Sequence, residues 1–174
     1  MRQKIKTSFA YFFALLVLLA GISAGNGAIC TWTGAGNDEL ASNPDNWSDS
    51  IAPTSGDSVV LSSASGKNMT WDLNVSLLSW TQDNYAGTVT IGTEYASSGF
   101  AELVITGDCN VNSGVWTHKA NATKELYRLR VKVLGDFELG ENASIDTTGK
   151  GYTSGNGPGK GSGTYGAAYG GRGT

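Results

Sequence analysis

Histidine, cysteine and proline are scarce in this sequence: one His, two Cys and three Pro in 174 residues. With His118, Cys30 and Cys109 as the whole His/Cys inventory, zinc sites built from three or four such ligands are excluded, and a metal would need carboxylates instead. The lone histidine follows Trp116-Thr117 near a strand end. No Gly-x-Ser-x-Gly elbow accompanies it, so a hydrolase triad has no footing and His118 reads as a turn residue. Charge is also low. Only 16% of residues are charged and the net charge is −3, with the basic residues scattered. That pattern lacks the basic footprint of a nucleic-acid binder and excludes that partner class. After the first 25 residues no apolar period of 3.6 is sustained, so amphipathic helices are not expected.

What is present begins with an export signal. Arg2, Lys4 and Lys6 form a positive segment, 9–20 is an unbroken small-and-apolar run, and Gly21, Ser23, Ala24 and Gly25 are residues of a cleavage site. Residues 1–25 read as a secretory signal peptide cleaved after Ala24 or Gly25. Gly21 interrupts the run short of the roughly 20 apolar residues that span a bilayer, so no transmembrane segment is expected after cleavage. The expected location is secreted, extracellular or on the cell surface. Disulfides persist there. A Cys30–Cys109 bridge is therefore one reading of the two cysteines, and two unrelated buried thiols is the other, since sequence alone cannot prove proximity.

Period-two alternation of apolar and small polar residues recurs through the rest of the chain. Strands are predicted over 58–61, 69–73, 77–80, 88–91, 101–106, 110–116, 127–134 and 136–139, with turn residues between them. The segment 119–128 is the one place where a helical turn is expected. An internal echo is more informative. Leu103, Ile105, Gly107, Asp108, Cys109 and Val111 align at constant offset with Val131, Val133, Gly135, Asp136, Phe137 and Leu139, and Ile145 follows as a counterpart of Val115 after a small insertion. Repeated short strands, none able to bury its apolar face alone, define a β-solenoid. An antiparallel β-sandwich is the alternative. The expected organisation is a solenoid-like domain over 26–148, with an amino-terminal cap over about 26–57, and a glycine-rich loop or linker over 149–174 that cannot bury a core. Six echo residues, Leu103, Ile105, Val111, Val131, Val133 and Leu139, are expected to face one apolar interior. The sequence stops within the glycine-rich stretch with no capping element, which reads as the amino-terminal piece of a longer protein.

Motifs that could carry chemistry dissolve into composition. Gly161-Ser162-Gly163-Thr164-Tyr165-Gly166 matches G-x-G-x-x-G inside a glycine-rich tail, with neither a strand before it nor a helix after it. Asp108 and Asp136 could serve sugar cleavage if stacked in adjacent turns, but aspartate after glycine is first a turn residue. Asp45, Asp49 and Asp57 lack a spaced calcium loop. No catalytic, cofactor-binding or metal residue is therefore predicted. The five tryptophans divide between core plugs and a sugar-stacking platform, for which Trp32 and Trp47 in turn-rich sequence are the candidates. Sequons at Asn46, Asn68, Asn74, Asn121 and Asn142 mark exposure only weakly.

The stretch Trp32-Thr33-Gly34-Ala35-Gly36-Asn37-Asp38, with Ser42-Asn43-Pro44-Asp45-Asn46-Trp47-Ser48, Ile51-Ala52-Pro53 and Gly56-Asp57-Ser58-Val59-Val60-Leu61, resembles the amino-terminal segment of large secreted bacterial β-solenoid proteins, adhesin-like and autotransporter-passenger-like. Leu103-Val104-Ile105-Thr106-Gly107-Asp108 and 143–152 are similar to their rung and glycine-rich loop sequences. The resemblance implies a right-handed parallel β-helix and an exported, often surface location, and it carries no catalytic motif. The expected function is a non-enzymatic surface or extracellular structural protein whose partners are surface glycans or other cell-surface proteins. The rival is a carbohydrate-active module, glycan-binding or polysaccharide-degrading, on the same fold.

Overall fold

The computed structural model describes residues 27–95 and 97–159. The expected signal peptide, and the tail from residue 160 with Lys160, Arg172 and the G-x-G-x-x-G match, lie outside the described residues.

The alternating sequence forms ten short strands: β1 (Ile29–Thr31), β2 (Ser58–Leu61), β3 (Met69–Trp71), β4 (Ser76–Leu77), β5 (Ser79–Gln82), β6 (Thr88–Ile91), β7 (Leu103–Ile105), β8 (Cys109–His118), β9 (Val131–Val133) and β10 (Phe137–Ile145). All strand pairings among them are parallel, which excludes the sandwich alternative. They stack in three columns. The first contains β1, β2, β5 and the amino-terminal halves of β8 and β10. The second contains β3, β6 and the carboxy-terminal halves of β8 and β10. The third contains β4, β7 and β9. The chain visits the columns in order and climbs one strand spacing each time, giving a β-solenoid of about 4 turns. Adjacent turns are 21 residues apart at Ser58 and Ser79 but 28 apart at Asp108 and Asp136. The difference is taken up in the corner loops.

Within each strand the odd and even positions separate inside from outside, as the pleat requires. In Ser58–Leu61 and Thr88–Ile91 the second and fourth residues are buried and the others are not. The inward residues form stacks: Val59 on Trp80 on Cys109, Met69 on Val89 on Trp116, and Leu77 on Ile105 on Val133. Trp71, Trp80 and Trp116 cross the interior edge to face, with ring centroids 5.4 and 5.2 Å apart. Such pairs add about 0.5–1.5 kcal/mol beyond their buried area.

The Gly-Asp echo lies at the corner between the third and first columns, where successive turns approach closely. Gly107 N–H donates to Leu78 O at 2.7 Å, and Gly135 N–H donates to Gly107 O at 3.2 Å. A Cβ at Gly107 would sit 2.7 Å from Leu78 O, and one at Gly135 would sit 2.6 Å from the Gly107 carbonyl carbon. Only glycine fits this corner. The aspartate beside it ties the turns together, because Asp136 N–H donates to Asp108 Oδ1 at 2.9 Å.

The amino-terminal end is closed. Strand β1, inside the expected cap, was not foreseen as a strand. Its outer edge is covered by a segment running the opposite way: Trp32 and Trp47 form an antiparallel bridge, Thr33 N–H donates to Asn46 O, and Ser48 N–H donates to Thr31 O. Trp32 and Trp47 pack edge to face at 5.3 Å. A 3-10 turn, Pro44–Asn46, shapes the segment, capped by the Asn43 side chain accepting from Asp45 N–H.

Several expectations need correction. Ile145 pairs with Trp116 rather than Val115, because the insertion is a register shift between Leu139 and Asn142. The predicted strand 77–80 is two strands on two faces, broken at Leu78. No helical turn forms at 119–128. Asn121 holds that loop open instead, its Oδ1 accepting from Leu126 and Tyr127 N–H and its Nδ2 donating to Tyr127 O. The first residues of the glycine-rich stretch are also anchored to that loop, since Asn121 N–H donates to Lys150 O and Thr153 N–H to Ala122 O. Of the six residues expected inside, Leu103, Ile105 and Val111 are fully enclosed, whereas Val131 and Val133 are half-buried and Leu139 is 44% exposed. The last three belong to the final described turn, on which no described strand is stacked.

Candidate functional site

The two tryptophans proposed as a sugar-stacking platform are in the cap core. Trp32 and Trp47 are 0% and 2% exposed, with their indole N–H groups donating to Lys67 O and Ala41 O. Trp71, Trp80 and Trp116 are equally enclosed. No tryptophan is available to stack on a ligand.

Both cysteines are free and buried. Cys30 pairs with Val59, Val59 with Trp80, and Trp80 with Cys109. Three inter-strand steps, about 14 Å, therefore separate the two. A disulfide requires Cα atoms within about 7 Å. The expected bridge is incompatible with this fold, and the reading of two separate thiols is the correct one. Burial, then the negative charges of Asp57 and Asp49, pushes the Cys30 thiol up to about 11, and burial pushes Cys109 up to about 12. These thiols should be inert to a disulfide reagent at neutral pH and release two equivalents only on unfolding; modification of the native protein at the unfolded rate would contradict the packing. Because both values are raised above the ordinary 9.0, their contribution to stability is complete below pH 9 and is lost as pH rises through 11 and 12. Denaturant midpoints measured from pH 8 to 11 should fall accordingly.

The carboxylates fasten backbone. Burial alone would raise Asp57, but hydrogen bonds from Thr54 N–H and hydroxyl and from Ala28 N–H hold it below the usual carboxylate range. Asp45 and Asp49 lie at the surface. Among the described residues no three His, Cys, Asp or Glu side chains converge as metal ligands. Asp108 and Asp136 do stack in adjacent turns, as a sugar-cleaving pair would, yet Asp108 is engaged with the Asp136 amide. His118 is half-buried at the strand end with Nδ1 2.8 Å from Lys119 O. Asn46 and Asn121 of the sequons are buried, whereas Asn68, Asn74 and Asn142 are exposed.

Three concavities stand out among the described residues. A polar cleft of about 460 Å³ is lined by His118, Asn121, Glu125, Tyr127, Arg128 and Lys150, among others. Arg128 there pairs with Glu125 and lies 3.6 Å from the Tyr95 ring centroid, and Lys119 lies over the Tyr127 ring. A shallow polar depression of about 430 Å³ lies beside Asn84, Ser113 and Asn142. The third, about 410 Å³, is apolar and occupies the open end of the solenoid: Trp116, Leu129, Val131, Val133, Phe137 and Ile145.

Two features escaped the sequence reading. One is this open end. The other is Gln82, fully buried, whose Oε1 accepts from Trp116 Nε1 at 2.8 Å and Trp80 Nε1 at 3.4 Å while Nε2 donates to Ser113 O at 2.5 Å. The alternation of Ser79–Gln82 points Gln82 inward, and that was the available signal. No family model, curated protein or solved structure matches the chain.

Proposed function

We propose that this is an exported, non-enzymatic extracellular or cell-surface structural protein, adhesin-like, whose solenoid presents its outer faces to surface glycans or other cell-surface proteins. The observation that carries the reading is the division of labour along each strand. The interior is packed with tryptophan and aliphatic side chains, while the outward positions stack small polar groups in register: Thr70 beside Thr90, Thr81 beside Asn110, and the Ser58 and Ser79 hydroxyls 2.9 Å apart. Turns that contact only their neighbours make a stiff, extended wall suited to display. The export signal and the resemblance to surface solenoids support the same reading, the latter by association alone. The glycan-binding alternative loses its tryptophan platform to the core.

Surface labelling of intact producing cells with an antibody to the folded domain tests location, and retention inside the cell would overturn it. Incubation with a panel of polysaccharides tests chemistry. No release of reducing ends is expected, and release abolished by Asp108→Asn or Asp136→Asn would replace this reading with an enzyme.

A further inference from the structure

The two ends of the solenoid differ. The amino-terminal end is sealed by an antiparallel segment and two tryptophans, whereas the other ends, among the described residues, on an uncovered turn. There Leu134, Phe137, Leu139 and Ile145 are 60, 49, 44 and 47% exposed around the apolar concavity. The backbone is uncovered too. Arg130 O accepts from Leu103 N–H, Leu134 N–H donates to Ile105 O, and Asp136 O accepts from Cys109 N–H, so these residues face the preceding turn. Alternation along a ladder then aims the N–H and C=O groups of Val131, Val133, Phe137 and Leu139 outward at the open edge. An unpaired edge over an apolar floor is a template for another strand.

We propose that the open end is covered by the same end of a second copy, two solenoids meeting tail to tail about a twofold axis perpendicular to their length. Such an axis through the second column sets that column's β10 half against its own copy and exchanges the first and third columns. The strand 137–139 of one protomer then runs antiparallel to β9 of its partner. With Lys132 opposite Glu138, three requirements are met at once. Val131 meets Leu139 and Val133 meets Phe137, apolar against apolar on the inner side. Those same residues carry the outward-aimed amides and carbonyls, so each pair exchanges both hydrogen bonds, as an antiparallel ladder demands. Lys132 and Glu138, both exposed on the outer side, become a directly opposed pair of opposite charge, twice per dimer. The molecule already closes its first edge with an antiparallel segment, and the second copy would close the other in the same manner. This inference does not depend on the proposed display function.

Sedimentation and light scattering of the secreted chain across a wide concentration range test it. A concentration-dependent dimer is expected. Lys132→Glu and Glu138→Lys should each raise the dissociation constant about tenfold or more by facing like charges, and the double exchange should restore affinity to within about threefold of wild type. Tryptophan fluorescence should be unchanged in all three, since neither side chain enters the core. Amide exchange provides the second measurement: Val131, Val133, Phe137 and Leu139 should be protected at high concentration and exchange freely on dilution. A monomer at every concentration would overturn the proposal, as would a dimer indifferent to the single charge reversals. Protection of those amides in a monomer would assign the cover to the chain itself and equally overturn it.

Discussion

Ile105→Asp is expected to abolish cooperative folding, whereas Val133→Asp, directly above it in the same stack, leaves a folded protein. Ile105 is fully enclosed between Leu77 of the preceding turn and Val133 of the next. Replacing it removes about 1.5–3 kcal/mol of apolar burial. It also places a carboxylate where no partner exists, at a further cost of several kcal/mol. Domains of this size have only about 5–15 kcal/mol of net stability. Val133 is half-buried at the rim of the open end, where in the monomer an aspartate turns into solvent. The sequence echo treats the two positions as equivalents and predicts the same loss at both; the structure separates them. Denaturant melts followed by tryptophan fluorescence should show no transition for Ile105→Asp and a modestly lowered midpoint for Val133→Asp. An Ile105→Asp variant with the wild-type midpoint would refute the inward stack.

Gln82→Leu is the second large effect, and its sign is the informative part. Leucine at a fully buried site ordinarily favours folding, and Gln82 has apolar neighbours in register, Leu61 on one side and Val111 on the other. Yet Gln82 is the partner of two buried indole N–H groups and of Ser113 O. Leucine leaves all three without a hydrogen bond, at about 1–3 kcal/mol for each group that remains dry. The gain from the added apolar surface offsets part of this, so a net loss of about 2–5 kcal/mol is expected. The midpoint should fall without a change in denaturant slope, and the native tryptophan emission should shift as Trp80 and Trp116 lose their acceptor. A neutral or stabilising Gln82→Leu would show that the glutamine is an incidental occupant of the core.

The strand echo was legible because each turn repeats one solution. Inward Leu103 and Ile105, corner Gly107-Asp108 and inward Val111 recur as Val131, Val133, Gly135-Asp136 and Leu139, and the register pairs these residues directly. The glycine persists because a side chain at the corner would strike the backbone of the turn below. The corner loops were not legible in the same way. Residues 119–128 carry a helix-like composition, but one asparagine, Asn121, dictates their path through hydrogen bonds that span six positions. Nor could spacing place Cys30 and Cys109. They occupy the same column, and their distance is set by how many turns lie between them, a number that emerges only once the loops have been assigned to corners. The burial of Trp32 and Trp47 was hidden for a related reason: turn-rich sequence reads as surface until the segment is seen to fold back across the edge of β1.

Within the described residues, the closed first turn and open last turn give the solenoid a mechanical polarity. Tension applied along the chain from the carboxy-terminal side first breaks the ties of Lys150 and Thr153 to the Asn121–Ala122 loop, then reaches β10, paired with a described strand on one edge only, and peels it from β8 with the loss of Phe137, Leu139 and Ile145 contacts that solvent already shares. The next turn to be exposed is the one fastened by Gln82 to two tryptophans, and there the load must break a cluster rather than a ladder. Pulled from that direction, the molecule yields a short length of chain at low force and then stiffens, as a tether with a built-in slack turn would.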